Sequence, residues 1–217
     1  MRINKLVALA TGMSRRTADQ AIAEGRVAVN GRPPTAGQQV TDEDQINLDG
    51  QTLQKPAATT IMMNKPVGYV VSRDGQGSQT IYDLLPEEYQ GLKPIGRLAK
   101  DSSGLLLLTN DGTLAQELTH PKYQKQKVYE IELDKPLEPL HQQMINDVGI
   151  QLDDGPSRLQ LEKLDDARHW RVRMAEGRNR QIRRTFSALG YEVTKLHRTQ
   201  FGGYQLNELE PGQTKIA

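Results

Sequence analysis

The stretch that decides the fold prediction is Gly96-Arg97-Leu98-Ala99-Lys100-Asp101-Ser102-Ser103-Gly104-Leu105-Leu106-Leu107-Leu108-Thr109-Asn110-Asp111-Gly112. A polar turn bounded by glycines leads into four leucines, long enough for one fully buried strand, and Asn-Asp-Gly then signals a tight turn. A functional site must be fixed by packing, and a buried strand fixes the turn before it. The pattern also describes a core strand with a polar lead-in and no chemistry, so this stretch alone leaves both interpretations open.

The whole composition is that of an ordinary soluble globular protein, with 217 residues, 25% charged and 36% hydrophobic. That length fits one large domain or two smaller ones. Apolar runs are only a few residues long and the N-terminus lacks the apolar core of a signal peptide, so we expect no membrane partner and a cytoplasmic location. The sequence contains no cysteine, which removes disulfides, thiolate nucleophiles and cysteine-based zinc sites. The four histidines lack metal-ligand spacing, so we expect no metal.

The net charge of +1 hides two basic segments. Between Met1 and Arg32, six basic residues stand against two acidic ones, a net +4. Between Gly177 and Arg198, six basic residues stand against one acidic residue, a net +5. Local charge of this kind favours a polyanionic partner more than the average charge does.

The N-terminal pattern predicts two helices followed by a small set of strands. Apolar residues at helical spacing run from Ile3 to Ala10, and Gly12 follows where a left-handed cap is expected. Ser14 predicts the cap of a second helix from about Arg15 to Glu24. A short strand then leads into the turn at Asn30-Gly31. These elements complete a unit of about fifty residues.

This unit, about Met1 to Gly50, resembles the αL RNA-binding module first known from a small-subunit ribosomal protein. The resemblance rests on the Ser-Arg-Arg helix start and on the Gly-Arg-Val-x-Val-Asn-Gly strand and turn. It implies that the two helices lie against an RNA backbone. The positions that match are Lys5, Arg15, Arg16 and Arg26. Arginines in the first turn of a helix are disfavoured by its dipole, which an anionic ligand would explain, although a solvated basic face remains the alternative.

A linker is predicted over residues 51–59, and a second domain over residues 60–217. Residues 61–71 predict a strand, a turn and a strand, with Lys65 held in the rigid turn before Pro66. A short helix is predicted from Thr113 to Thr119.

Three further strands are predicted, at residues 127–133, 159–164 and 169–175. In the first of them apolar and acidic residues alternate, and on this pattern alone Tyr129 is a core tyrosine. The pairs Asp153-Asp154 and Asp165-Asp166 fit turns, although paired carboxylates also suit acid and base chemistry.

The segment Gly177 to Gly190 predicts a basic helix, capped by Asn179 and ended by Gly190. Arg180, Arg183 and Arg184 cluster near its start. Each pair of like charges at these spacings destabilises a helix by roughly a few tenths of a kcal/mol. Bound phosphates or a buried carboxylate would reverse that effect.

Together these features resemble the pseudouridine synthases of the RsuA, RluB and RluF type, in which an αL module precedes a catalytic domain. The matching signatures, which span nearly the whole chain, are Asn64-Lys65-Pro66-x-Gly68, Gly96-Arg97-Leu98 through Gly104-Leu105-Leu106, Lys127-x-Tyr129, Gly177 through Arg184, Leu189-Gly190 and Leu196-x-Arg198. The resemblance implies an α+β fold, with a mixed, largely antiparallel sheet flanked by helices and an RNA-binding cleft across the sheet.

The resemblance also implies an activity: conversion of a uridine in structured RNA, usually ribosomal, to pseudouridine without metal or cofactor. It assigns Tyr129 to stacking on the base and Arg183 to keeping a carboxylate ionised, and it places Arg97 in the catalytic loop. The basic residues expected to contact RNA are Lys5, Arg15, Arg16, Arg26, Lys65, Arg97, Lys127, Arg180 and Arg184. A monomer is the simplest expectation.

The chain departs from the family at the nucleophile, because Ala99 stands where the family has an essential aspartate directly after Gly-Arg-Leu. A methyl group cannot attack a sugar, so we expect an RNA-binding form without synthase activity. Asp101 lies two residues along, a displacement of about 6 to 7 Å in an extended segment and too far for chemistry sensitive to 1 Å.

Two explanations of Ala99 are open. The first is a deliberate Asp-to-Ala substitution in an active enzyme, which the retained Tyr129 and Arg183 favour; the second is a natural non-catalytic protein such as a ribosome-assembly factor. A hydrolase that uses the aspartate pairs is a more distant alternative; such an enzyme would tolerate loss of Arg183 but not of Asp153 and Asp154.

Overall fold

The structure, a computed structural model, describes residues 1–41 and 43–217. It divides into two compact units, Met1–Ala58 and Thr59–Ala217, each with its own buried core. We describe the two units separately.

The N-terminal unit packs two helices against a three-stranded antiparallel sheet. Its elements are α1 (Ile3–Thr11), α2 (Arg15–Ala23), β1 (Val27–Val29), β2 (Ile46–Leu48) and β3 (Gln51–Thr52). The predicted caps are confirmed: Gly12 adopts a left-handed conformation, and the Ser14 side chain accepts a hydrogen bond from the Thr17 amide at 3.1 Å. Strand β3 occupies the first two residues of the predicted linker, because they continue the sheet beyond the Asp49-Gly50 turn.

The second unit is built on a nine-stranded sheet. Its strands are β4 (Thr60–Lys65), β5 (Lys93–Ile95), β6 (Ser103–Thr109), β7 (Lys127–Leu133), β10 (Gln160–Lys163), β11 (His169–Met174), β12 (Val193–Phe201), β13 (Tyr204–Gln205) and β14 (Thr214–Ile216). A separate hairpin is formed by β8 (Ile150–Leu152) and β9 (Gly155–Ser157). The helices are α3 (Gly112–Thr119), α4 (Pro139–Gln143), which a π-helical segment continues over Met144–Val148, and α5 (Gln181–Ser187).

The strand order of the large sheet is β10-β11-β7-β12-β6-β4-β14, with β13 beside β12 and β5 beside β6. Only the β12–β6 pair is parallel. The sheet is therefore mixed and largely antiparallel, as the fold prediction states.

Strand β6 lies in the middle of this sheet, and its four leucines are fully buried. Leu106 and Leu108 belong to the main core, whereas Leu105 and Leu107 pack on the other side with Leu118 of α3. Burial on both faces explains why the strand reads as a continuous apolar run. The prediction of a fully buried strand at this position is confirmed.

Two local predictions are wrong, and one helical segment was missed. Val70 forms only an isolated bridge with Thr80 where a second strand was expected, and the Gly68 amide in the turn before it donates to the Lys100 carbonyl at 2.8 Å. Helix α5 begins after Arg180 instead of Asn179, since Arg180 adopts a left-handed conformation with a φ of 46°. The helical segment from Pro139 to Val148 was not predicted.

Among the described residues, no helix is long and apolar enough to cross a membrane, and no three His, Cys, Asp or Glu side chains are grouped as metal ligands would be.

Candidate functional site: the loop before strand β6

The loop from Gly96 to Ser102 joins β5 to β6 and presents position 99 to solvent. Gly96 has a φ of +71°, which permits the turn out of β5. Leu98 is buried in the main core, but Ala99 next to it is exposed. The Ser102 amide donates to the Ala99 carbonyl at 3.1 Å, which closes the loop on itself. A side chain at position 99 thus projects from a tight turn anchored on both sides.

Lys65, at the end of β4, fixes the main chain of this loop. Its side chain is fully buried, and the ammonium donates to the carbonyls of Pro66 at 2.9 Å, Ala99 at 3.1 Å and Ser102 at 2.7 Å. Burial lowers the pKa of Lys65 to about 8, and the nearby Asp101 charge partly opposes that effect. The prediction that Lys65 contacts RNA is therefore corrected, because all three donors of the ammonium are used inside the protein.

Arg183 and Arg180 hold the other end of the loop through Asp101. Arg183 Nη2 donates to the Asp101 main-chain carbonyl at 2.8 Å, its Nε lies 3.3 Å from the Asp101 carboxylate, and Nη1 donates to the Val193 carbonyl. Arg180 forms a second ion pair with the same carboxylate at 3.0 Å. Burial raises the pKa of Asp101, but the two arginines outweigh burial and leave the pKa below its usual value. Burial lowers the pKa of Arg183, and the Asp101 charge opposes it.

Tyr129 lies in β7 and is 8% exposed. It belongs to the same buried cluster as Leu98 of the loop and Ile182 of α5, so the ring lies in the core that supports both. Lys127, two residues earlier on the same face, is half-buried, with its ammonium over the Phe201 ring at 5.1 Å. Burial lowers the pKa of Lys127, and the neighbouring Arg198 charge lowers it further.

The remaining arginine of the basic helix, Arg184, is held by Asp154 in the β8–β9 hairpin. Arg184 Nη2 lies 2.7 Å from one carboxylate oxygen, and Arg178 Nη1 lies 2.7 Å from the other. The hydrogen bond and charge of Arg184, with the charge of Arg178, keep the pKa of Asp154 below its usual value. Asp154 is therefore a structural counter-ion in a turn, and both of its oxygens are occupied.

Comparison with known protein families identifies both units. The family described as "RNA pseudouridylate synthase" matches residues 59–188, more than half of the chain, and the S4 domain matches residues 1–46. The chain belongs to the RNA pseudouridylate synthase family.

The chain is similar to pseudouridine synthases from several bacteria. A Bacillus subtilis protein named ribosomal large subunit pseudouridine synthase B is 37% identical over 99% of this chain and 91% of its own length. A Pasteurella multocida protein named ribosomal small subunit pseudouridine synthase A is 36% identical over 96% of the chain and 91% of its own length. The chain spans only about half of several other relatives, for example 46% of one from Xanthomonas campestris.

A solved structure described as a pseudouridylate synthase superposes on the whole chain and on 96% of its own, with a TM-score of 0.72 and 33% sequence identity. The fold derived from the strand order above is thus that of the family.

The basic residues of the S4 unit differ in how they are partnered. Arg26 makes a two-fold contact with the Asp49 carboxylate at 2.6 and 2.9 Å, and this contact raises the arginine's pKa. Arg15 donates only to the neutral Asn4 side chain, at 3.4 Å. Within residues 1–41 and 43–217, no ion-pair partner is present for Lys5, Arg15 or Arg16. Of the four residues predicted to contact RNA in this unit, these three therefore have no ion pair within the described residues and can meet an external anion.

Sequence reasoning missed the role of Asp101, which it weighed only as a substitute nucleophile. The sequence did indicate that some carboxylate could lie near the start of α5, because the clustered arginines there repel one another. Nothing in the sequence indicated which of the 27 acidic residues would supply it.

Proposed function

We propose that this chain binds structured RNA, most suitably ribosomal RNA, and flips a uridine into the site beside position 99. The family membership and the S4 unit support an RNA substrate. The names of relatives, which specify large-subunit and small-subunit ribosomal synthases, support ribosomal RNA and leave both subunits as candidates.

The observation that carries the proposal is the way position 99 is presented. The loop main chain is fixed by Lys65 from one side and by Arg183 from the other, and the side chain at 99 points to solvent. A site held this rigidly suits a reaction that depends on placing one group against a sugar. In the proposed complex Tyr129 stacks on the flipped uracil, and Arg183 faces the nucleophile position.

The chemistry requires a carboxylate that the chain does not supply. A base inside a duplex cannot be reached, so the nucleotide must be flipped out. Unstacking and unpairing it costs about a few kcal/mol, and contacts to the RNA phosphates offset that cost. The uracil must then be detached, rotated and rejoined through carbon with the help of an ionised aspartate. Ala99 has no group for this step, and Asp101 is held by Arg180 and Arg183. We therefore propose that the chain stops at binding and flipping.

The deciding experiment compares Ala99→Asp with Ala99→Asn, followed by pseudouridine mapping on both ribosomal RNAs. Asparagine has nearly the shape of aspartate but cannot act as the nucleophile, so only Ala99→Asp should restore pseudouridine at a defined site. If Ala99→Asp binds RNA and still forms no pseudouridine, the alternative of a non-catalytic RNA-binding protein replaces the enzyme proposal.

The S4 part of the proposal is tested by the salt dependence of RNA binding. Arg16→Gln should lower the slope of log affinity against log salt by about one, because each phosphate contact releases counterions. Arg26→Gln is the matched control from the same unit, since Asp49 already neutralises Arg26, and it should change the slope less. Equal slopes for both variants would make the basic face of this unit a solvated surface.

A further inference from the structure

A cavity of about 360 Å³ lies beside the catalytic loop and is lined by Val67, Gly68, Lys100, Asp101 and Arg180. Ala99, Tyr129 and Arg183 do not line it. The cavity is therefore distinct from the place where the flipped uracil meets position 99 and Tyr129. It is an open depression in the surface and not an enclosed pocket.

The apolar part of the wall is Val67, which is 60% exposed although it sits in a rigid turn. The turn is fixed on one side by the contact of the Pro66 carbonyl with Lys65, and on the other by the Gly68 amide, which donates to the Lys100 carbonyl at 2.8 Å. Single exposed apolar residues are common and mean little by themselves. Here the position of the side chain is set by main-chain contacts to the catalytic loop, so Val67 stays in the cavity wall.

Arg180 supplies a planar guanidinium to the same cavity. It is half-exposed, and its backbone is in the left-handed region, with a φ of 46°, which is uncommon for a residue other than glycine. Its ion pair with Asp101 fixes the side chain without burying it. Guanidinium planes are surfaces on which unpaired RNA bases stack.

The charges decide between a base and a phosphate as the occupant. Both terminal nitrogens of Arg180 donate to the Asp101 carboxylate, at 3.3 and 3.0 Å, so the guanidinium edge that would bind a phosphate is occupied and its face is left for a base. Lys100 donates to the neutral Ser78 hydroxyl at 3.0 Å, a contact that leaves its positive charge uncancelled at the rim. An uncharged planar group with a phosphate beside it fits both features.

We propose that this cavity holds the base adjacent to the target uridine in the RNA strand. The inference rests on the proposed function and deepens it. Flipping a uridine leaves its neighbour without a stacking partner, and Val67 and Arg180 replace that partner, while Lys100 meets the flanking phosphate. The position agrees with this assignment, because Lys100 and Asp101 in the cavity wall directly follow position 99 in the loop.

The experiment uses the chain as it stands, with two single-stranded uridine nonamers that carry a 5′ fluorescein. One has a central 2-aminopurine and the other a central abasic residue. Affinities come from anisotropy, and stacking comes from quenching of the 2-aminopurine fluorescence. Arg180→Gln should weaken binding of the 2-aminopurine nonamer about tenfold, the low end of the roughly 1–3 kcal/mol that stacking on a flat side chain contributes. Val67→Ala should weaken it about threefold, because it removes only a small apolar contact, at about 25 cal/mol per Å². Neither change should affect the abasic nonamer by more than about twofold on the same argument.

Two matched controls come from the same unit. Arg168 is also a half-exposed arginine paired with a carboxylate, that of Glu132, and Val148 is 68% exposed. Arg168→Gln and Val148→Ala should leave both affinities unchanged. The proposal is overturned if Arg180→Gln weakens binding of both nonamers equally, because Arg180 would then act only through its charge. It is also overturned if both test variants quench the 2-aminopurine as strongly as the unchanged chain does. If the unchanged chain binds ribosomal RNA but neither nonamer, this inference fails while the proposed function stands; if it binds no ribosomal RNA either, the proposed function fails.

Discussion

Replacing Lys65 by methionine tests whether the buried ammonium holds the catalytic loop. Hydrogen bonds to charged groups contribute about 1.5–3 kcal/mol each on balance, so three carbonyl contacts to one ammonium set an upper limit of roughly 5 to 9 kcal/mol. Burying the cation opposes this: a pKa lowered to about 8 from 10.5 corresponds to about 3 kcal/mol against the charged form. The Ala99 carbonyl also keeps the Ser102 amide as a donor. We therefore expect Lys65→Met to lower the free energy of unfolding of this unit by about 3 kcal/mol.

The single tryptophan makes the measurement specific to one unit. Trp170 is buried in the main core of the second unit, so its fluorescence during urea unfolding reports on that unit and not on the S4 domain. Lys163→Met, an exposed lysine of β10, serves as the control and should be nearly neutral. If Lys65→Met differs from the control by less than about 0.5 kcal/mol, the value expected of ordinary surface changes, the ammonium does not hold the loop.

Three further outcomes are expected. The folded-state pKa of Lys65, about 8, is below the unfolded value, so the folded state binds fewer protons between about pH 8 and 10.4. The chain should therefore gain stability relative to Lys65→Met as pH rises through that window. A stability difference in urea unfolding that stays flat or falls with pH would contradict this. Asp101→Asn should raise RNA affinity and steepen its salt dependence, since Arg180 and Arg183 lose their counter-ion; an unchanged slope would show that these arginines stay unavailable to phosphate. Gly104→Ala should destabilise the second unit by more than about 3 kcal/mol, because φ at Gly104 is +102° and the added carbon would lie 2.3 Å from the Arg198 carbonyl oxygen. The control Gly91→Ala has open space around the added carbon and should be tolerated. Similar urea midpoints for the two variants would refute the clash.

Much of the fold could be predicted from the sequence because the deciding signals are local. The Ser14 cap, the Gly12 stop and the alternation in β7 each depend on residues within a few positions of one another, and each is observed. The run from Leu105 to Leu108 needed only its length and polarity to be placed in the core.

The candidate site could be predicted less well because its contacts join distant segments. Asp101 meets Arg180 and Arg183 across 79 and 82 residues, and no local pattern encodes that pairing. Lys65 was expected to contact RNA from a rigid turn, but its side chain is fully buried, which is rare for a lysine without a partner. Its partners here are three carbonyls brought together by the fold of the loop, and every sequence has carbonyls at every position, so they leave no sequence signal.

The contacts that fix the catalytic loop share one property: none of them involves the side chain at position 99. Lys65 and the Ser102 amide bind the carbonyl of Ala99, the Gly68 amide binds the carbonyl of Lys100, and Arg183 binds the carbonyl of Asp101. All of these acceptors are main-chain atoms, and the methyl group of Ala99 is exposed. The present anchoring of the loop therefore does not depend on the methyl group, and because Ala99→Asn places a side chain of nearly the same shape there, activity gained only by Ala99→Asp is attributable to the carboxylate.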